Sequence, residues 1–319
     1  MPPRVAVLIP CLNEERSIAA VVADFRRALP DAVVYVYDNN STDRSAHLAA
    51  EAGAVVGTER RQGKGFTVRR MFRDVEADVY ILVDGDDTYD ASAAPALLDL
   101  LVREQLDMVL ARRVGSERVG SESDAWRRGH RLGNALFTGS ISLLFGRRLG
   151  DLLSGYRVFS RRFVKSFAGI TQGFEIETEI TVHALTLDLA LHEVDTVYRA
   201  RPAGSESKLN TWADGFQISC SILRLVREER PAVFFSVIGA VLIGVALSLG
   251  YSVLVEFHKT GLVPRFPTAI LATGLVLSGL LSTASGLVLD SLARSRREAR
   301  DRAYLATPKL VAPPHQPHR

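Results

Sequence analysis

The chain has 319 residues, 24% of them charged and 47% hydrophobic, and a formal net charge of +3. That length supports one good-sized core plus further segments. So small a positive balance argues against a nucleic-acid-binding chain, because the arginines gather at 112–131 and beside two apolar runs rather than along an aromatic-studded stripe; phosphates or anionic lipid heads suit them better.

The first predicted element is a short strand, VAVLI at 5–9, with no signal peptide before residue 20. Asn13 is placed to cap a helix from Glu14 to about Leu29. AVVYVY (32–37) is a second strand, followed by DNNSTD, where Ser41, Thr42 or Asp43 can cap the next helix. AVVGT (54–58) is a third strand, Phe66–Asp74 a helix, VYILV (79–83) a fourth strand and MVLA (108–111) another. Alternating strands and helices with continuously apolar strands predict a parallel α/β sheet covered on both faces. Such sheets bind ligands beyond the carboxyl ends of their strands. The polar clusters Pro10–Glu15, Asp38–Asp43 and Asp84–Asp90 all fall there.

Residues 112–210 read as less regular. Thr211–Glu229 is amphipathic, with Trp212, Phe216, Ile218, Ile222, Leu223 and Val226 among polar residues: a helix on a membrane surface, or one packed on the domain. Ala232–Val255 and Pro267–Leu289 contain no charge. At ~1.5 Å per residue each makes a helix of roughly 35 Å, enough to cross a hydrocarbon core of ~30 Å. Arg224, Arg227 and Arg230 precede the first run, and Arg294, Arg296, Arg297, Arg300 and Arg302 follow the second, which predicts a hairpin in the inner membrane with both termini cytoplasmic. The expected division is 1–210, 211–230, 231–290 for the hairpin, and a basic, partly disordered tail at 291–319, Pro-rich from Thr307. Cys11 and Cys220 lack metal-ligand spacing and suit a reducing compartment.

The chemistry concentrates in YILVDGDDTYD, where an apolar strand ends among Asp84, Asp86, Asp87 and Asp90. Carboxylates so close repel each other, and a hard divalent cation such as Mg²⁺ or Mn²⁺ would compensate them while keeping positions open for substrate phosphates. Asp38, at the end of the second strand, suits a nucleoside base or ribose, or else caps the helix that follows, a role the neighbouring Ser41, Thr42 and Asp43 could fulfil alone. Lys64, between Gly63 and Gly65 at a helix start, sits where phosphate is favoured, although the P-loop spacing is absent.

PCLNEE (10–15), DNNSTD (38–43), GKG (63–65) and VDGDDTYD (83–90) resemble the family 2 glycosyltransferases of the GT-A fold. DLLSGYRVF (151–159), GFEIETEI (173–180) and SESKL (205–209) are similar to the branch that transfers one sugar to a polyprenyl phosphate, as dolichyl-phosphate mannose synthase and the undecaprenyl-phosphate hexose transferases do. The resemblance spans roughly 4–210, and a C-terminal two-span hairpin also occurs in that branch. It implies a Rossmann-like, mostly parallel α/β domain. Pro10, Glu14 and Asp38 would line the nucleoside pocket, with Lys64 beside the donor, and Asp84 and Asp86 would hold the metal. Arg113 with Arg128 or Arg131 would meet the acceptor phosphate, and Arg199 or Arg201, Ser207 and Lys208 belong to a loop closing over the donor. Thr88 stands where mannose synthases have Gln, so a third protein ligand is not implied. Among Glu175, Glu177 and Glu179, each of which can be a helix-surface charge, Glu179 matches the motif best.

The expected reaction is inverting transfer of one sugar, from a UDP-linked hexose or N-acetylhexosamine, to a polyprenyl phosphate. GDP-mannose is the alternative donor, and an inactive membrane scaffold that binds nucleotide sugar is the rival from another class. A phosphate monoester, with a second pKa of ~6, is already a nucleophile near neutrality, so the site must manage charge more than protons. The QxxRW segment of processive synthases and the Gly-rich basic loop of nucleotidyltransferases are absent from the sequence. The resemblance also implies self-association.

Overall fold

Apolar runs with no polar alternation become the inner strands of a mixed sheet. The computed structural model describes residues 2–114, 150–171, 173, 175–199, 223–224 and 226–310. Within these, strands β1 (Val5–Cys11), β2 (Val33–Asp38), β3 (Val55–Thr58), β4 (Val79–Leu82), β5 (Met108–Val114), β6 (Arg157–Ser160) and β7 (Leu191–Val197) lie in the order β3-β2-β1-β4-β6-β5-β7. β4 and β6 are buried at every residue, whereas β3 and β7, at the two edges, alternate or expose theirs.

Helices α1 (Ile18–Ala28), α2 (Ser45–Glu51), α3 (Lys64–Asp74), α4 (Ala94–Arg103), α5 (Arg161–Ser166) and α6 (Ile176–Thr186) accompany the sheet. Because successive strand residues point to opposite faces, Val7 and Ile9 pack with Ile18, Val22 and Phe25 of α1 and with Leu97 and Leu101 of α4. Ala6 and Leu8 pack instead with Val68, Met71 and Phe72 of α3 and Ile176 and Ile180 of α6. Both faces are therefore covered, as the apolar strand pattern predicts.

One feature refines the expected, mostly parallel sheet, and two others differ from the sequence-based expectation. The sheet is mostly parallel but carries one reversal: β6 runs antiparallel to both β4 and β5 and separates them. The helix after β1 begins at Ile18, not Glu14. Residues 14–17 form a turn in which Ser17 and Ile18 N–H donate to Glu14 O at 3.1 and 2.9 Å. Asn13 does not cap that helix; it has φ 51°, and its Oδ1 accepts from Thr42 N–H at 2.7 Å. Finally, the stretch read as irregular holds β6, α5, α6 and β7. α6 is buried on nearly every side, so it lacks the one-sided apolar stripe that would have revealed it.

The chain divides into two compact units, Met1–Ile218 with Arg300–Arg319, and Ser219–Ala299. The second holds α7 (Pro231–Thr260) and most of α8 (Phe266–Ala306), both long and apolar enough to cross a membrane. α8 continues as helix through the arginine-rich segment to Ala306. The two helices meet along small residues seven apart, Gly239 and Ala246 on one and Ala272, Gly279, Gly286 and Ala293 on the other. A Cβ on Gly239 would stand 2.7 Å from Gly279 O, and one on Gly279 2.9 Å from Gly239 O, so the backbones touch where side chains are missing. The Ser282 hydroxyl adds a hydrogen bond to Phe235 O at 2.9 Å. Outward faces carry Leu247, Leu254, Leu281 and Leu287, with Leu281 68% exposed.

Candidate active site

In open α/β sheets the ligand crevice opens where successive connections diverge. Here that point is β1, which pairs with β2 on one side and β4 on the other. The loops leaving these strands are hydrogen-bonded to each other. Asn39 N–H donates to Cys11 O at 2.8 Å, Asn13 N–H to Ser41 Oγ at 2.9 Å, and Glu14 N–H to Ser45 Oγ at 2.7 Å. On the other side, the Ser17 hydroxyl donates to Gly85 O at 2.7 Å. The three polar clusters expected at the strand ends thus form one rim. Pro10 and Glu14 are partly buried on it. Asp38 is buried, and its carboxylate accepts from Ser41 N–H at 3.2 and 3.3 Å.

Asp84 and Asp86 follow β4. Asp86 is 5% exposed, and its Oδ1 accepts from the Thr88 hydroxyl at 2.6 Å and from Thr88 N–H at 3.3 Å. Thr88 therefore orients the second carboxylate. Asp84 Oδ1 lies 2.5 Å from Lys64 Nζ, and the same ammonium also pairs with Glu177 of α6. Burial opposes a charge on Lys64, but the two carboxylates more than offset it and hold the ammonium pKa well above its ordinary value. Lys64 is carried here by a loop that Asn39 fastens: its amide donates to Glu59 O at 2.9 Å and Arg61 O at 2.7 Å, and its Oδ1 accepts from Gly63 N–H at 2.7 Å. Glu59, held down to a pKa of about 2 chiefly by its hydrogen bond from Arg61, closes the same loop.

The antiparallel β6 explains how SGYR reaches this rim. A strand running against β4 enters the sheet at the end where β4 leaves, since Leu82 pairs with Arg157. Gly155 then lies against Asp84; a Cβ there would be 2.8 Å from the Asp84 carboxyl carbon. Gly155 N–H donates to the Tyr89 hydroxyl at 2.9 Å, and the Ser154 hydroxyl donates to Ala111 O at 2.6 Å. Arg157 is 0% exposed and donates to Ser154 O at 2.8 Å, Leu152 O at 2.6 Å and Thr181 Oγ1 at 2.8 Å. An arginine inside the core thereby pins the loop that abuts Asp84.

Arg113, at the end of β5, is held by Asp151 through Nε at 2.7 Å and Nη2 at 2.8 Å, and its guanidinium lies 5.4 Å from the Tyr198 ring centre. Arg199 reaches Asp90 at 3.3 Å. Glu179 accepts from Ile170 N–H at 2.8 Å and Thr171 N–H at 3.0 Å, which ties down a loop beside α6. Arg128, Arg131, Arg201, Ser207 and Lys208 lie outside the described residues. Sequence reasoning undervalues Glu177, which is 4% exposed and touches Lys64, and passes over Asn39 and Arg157. A carboxylate within an apolar helix such as EIETEITVHAL is the available signal, because it requires a buried partner.

Residues 6–167 match the family model described as Glycosyl transferase family 2. The glycosyltransferase AglJ of Haloferax volcanii is 33% identical over 288 residues, covering 88% of this chain and 93% of that protein. A dolichyl-phosphate hexose transferase of the same organism is 29% identical over 225 residues, 70% of this chain and 95% of its own length. The crystal structure of glucosyl-3-phosphoglycerate synthase from Mycobacterium tuberculosis in complex with Mn²⁺, UDP-glucose and phosphoglyceric acid has a TM-score of 0.55 at 22% identity, over 70% of this chain and 79% of that one. That likeness is one of fold. With half of the chain matched by the family model and nearly its whole length aligned to AglJ, the protein belongs to glycosyl transferase family 2 and is an enzyme of sugar transfer.

Proposed function

We propose that this enzyme transfers one hexose or N-acetylhexosamine, with inversion, from a UDP-linked donor to a polyprenyl phosphate at the cytoplasmic face of a membrane. The observation that carries the proposal is the cation already seated on Asp84: the Lys64 ammonium lies 2.5 Å from its carboxylate, at the crevice beside β1. Positive charge is stable there, as a donor diphosphate would require. Among the described residues no group of three or more His, Cys, Asp or Glu side chains is placed to hold a metal. Two carboxylates suffice for Mg²⁺ or Mn²⁺ that completes its shell with phosphate oxygens and water. Asp84 and Asp86 would hold such an ion, and when bound it supplies neutralising charge for the diphosphate leaving group.

The chain's own residues do the rest. Pro10, Glu14 and Asp38 line the nucleoside side of the rim, and Thr88 keeps Asp86 aimed. Arg113, steadied by Asp151, offers its charge to the acceptor phosphate together with Arg128 or Arg131. Burial works against the charge on Arg113, but Asp151 and its neighbours hold that guanidinium protonated. Arg201, Ser207 and Lys208, outside the described residues, would contribute contacts to the donor, as their motif match implies. No acid or base needs to move a proton, because the attacking phosphate oxygen is already ionised.

The acceptor accounts for α7 and α8. A polyprenyl tail stays in the bilayer, since each buried CH₂ contributes ~0.8 kcal/mol, so the enzyme must meet its phosphate at the surface. Residues 1–210 would form the catalytic region and 231–290 the hairpin; the expected interface segment at 211–230 lies mostly outside the described residues, and the basic segment from 291, expected as a partly disordered tail, is instead helical to Ala306. The relative named as a dolichyl-phosphate hexose transferase supports this acceptor.

The test is incubation of the purified protein with a panel of nucleotide sugars and either undecaprenyl or dolichyl phosphate, with mass spectrometry of the lipid. A polyprenyl-phosphate monosaccharide is expected with Mn²⁺ or Mg²⁺ and is abolished by EDTA. Asp86→Ala is expected to lose transfer by at least about 10³-fold while still folding and partitioning into membranes. Full activity in that variant, or donor binding without turnover on any lipid phosphate, would overturn the proposal.

A further inference from the structure

The ion pair at Asp84 has a third member with no role in the proposed reaction. Glu177 projects from α6 onto the ammonium that already touches Asp84, so one Lys64 serves two carboxylates. The three side chains are not equally accessible: Asp84 is 28% exposed, Lys64 12% and Glu177 5%. The outer carboxylate faces the rim and the inner one faces the core. Such an arrangement has a direction. An incoming divalent cation reaches Asp84 first and meets an ammonium already there. Two like charges on one carboxylate repel, and a lysine this buried cannot simply swing into water without loss of its packed stem.

Resting on the reading of Asp84 and Asp86 as the ion site, we infer that Glu177 is a positioning residue that receives the Lys64 ammonium when a divalent cation takes Asp84. Lys64 is the resident cation of the donor-free enzyme. It shifts its weight from Asp84 to Glu177 as the ion arrives, remains neutralised throughout, and is left beside the site to face the donor diphosphate. Without Glu177, the cation would have to enter against a buried ammonium that has lost its inner carboxylate, and breaking such a buried pair is costly. The wild-type arrangement thereby removes most of the electrostatic penalty of having a lysine next to a metal site.

The inference is tested on the full-length protein in detergent by titrating Mn²⁺, alone and with UDP, and following free Mn²⁺ by electron paramagnetic resonance. Glu177→Gln keeps the shape and an acceptor oxygen while removing the charge. It is expected to weaken Mn²⁺ binding by at least about tenfold. In the double variant with Lys64→Met the repelling ammonium is gone, and Mn²⁺ binding is expected to return to within about threefold of wild type, a non-additive pair. Thermal melting of each variant verifies that it is folded. Wild-type Mn²⁺ affinity in Glu177→Gln would overturn the inference. So would a loss that persists undiminished in the folded double variant, since Glu177 would then act on the ion and not through Lys64. Failure of the underlying site assignment looks different: Asp84→Asn and Asp86→Asn would leave Mn²⁺ binding unchanged.

Discussion

The strand-end rim and the α7–α8 pair invert the usual rule of burial in opposite ways. At the rim, charged and polar groups are inside: Asp86, Glu177 and Arg157 are nearly or fully enclosed. Along the helix pair, large apolar groups are outside, Leu247, Leu281 and Leu287 among them. Enclosed charge is costly unless it is paired, and exposed hydrocarbon in water is costly unless something covers it. The rim meets its requirement within the protein, through Lys64, Thr88 and the carbonyls around Arg157. The helices, long and apolar enough to cross a membrane, would meet theirs in a different solvent, lipid. Each departure marks a place where the sequence serves something other than the stability of a soluble core.

The contrast breaks most sharply at Gly155. A valine there would drive its Cβ into the Asp84 carboxylate while leaving the distant core untouched. Gly155→Val is expected to lower sugar transfer by about 100-fold, with far-ultraviolet circular dichroism unchanged. Activity near wild type would mean that SGYR does not shape the site. Arg157→Leu tests the enclosed charge next. It removes the donors to Leu152 O, Ser154 O and Thr181 Oγ1, and the expected loss is about 2–4 kcal/mol. The melting midpoint, followed by intrinsic fluorescence, should fall by roughly 5–10 °C. An unchanged midpoint would show that the guanidinium is no better there than hydrocarbon. The helix pair gives the smallest effect. Gly279→Leu inserts a side chain where Gly239 O stands 2.9 Å from the added Cβ and should destabilise the hairpin by about 1–3 kcal/mol. Protease sensitivity of the 260–266 connection in detergent should rise, and no rise would mean the seam does not hold the pair together.

Much of this contrast is legible in the sequence, for reasons that differ by residue. β1, β2 and β4 announce themselves because strands buried on both faces need uninterrupted apolar runs, and the aspartates after β4 stand out because nothing local neutralises them. The helix pair is plain from its length and lack of charge. β6 is hidden because it has four residues, one of them an arginine, and its place between β4 and β5 depends on pairing with partners 75 to 81 residues away in β4 (Leu82 with Arg157, Val79 with Ser160) and 47 to 51 residues away in β5 (Leu110 with Arg157, Met108 with Phe159). Glu177 is hidden for a similar reason: its partner Lys64 lies in another helix, and no local pattern encodes that meeting. Arg113 reads as a cation for the acceptor, and sequence offers no means of seeing that Asp151 grips it at 2.7 and 2.8 Å. Asn13 and Asn39 mislead in opposite senses. Asn13 has the position of a helix cap and acts as a tie between loops, whereas Asn39 has the position of turn filler and acts as a fastener.

Asn39 carries a consequence for chemical ageing. Both hydrogens of its amide point at carbonyl oxygens, of Glu59 and Arg61, and its own oxygen receives Gly63 N–H. Hydrolysis of that single amide to a carboxylate would set oxygen against two oxygens and release the loop that delivers Lys64. Stored enzyme would then fade through one atom exchanged at the rim, long before the sheet beneath it came apart.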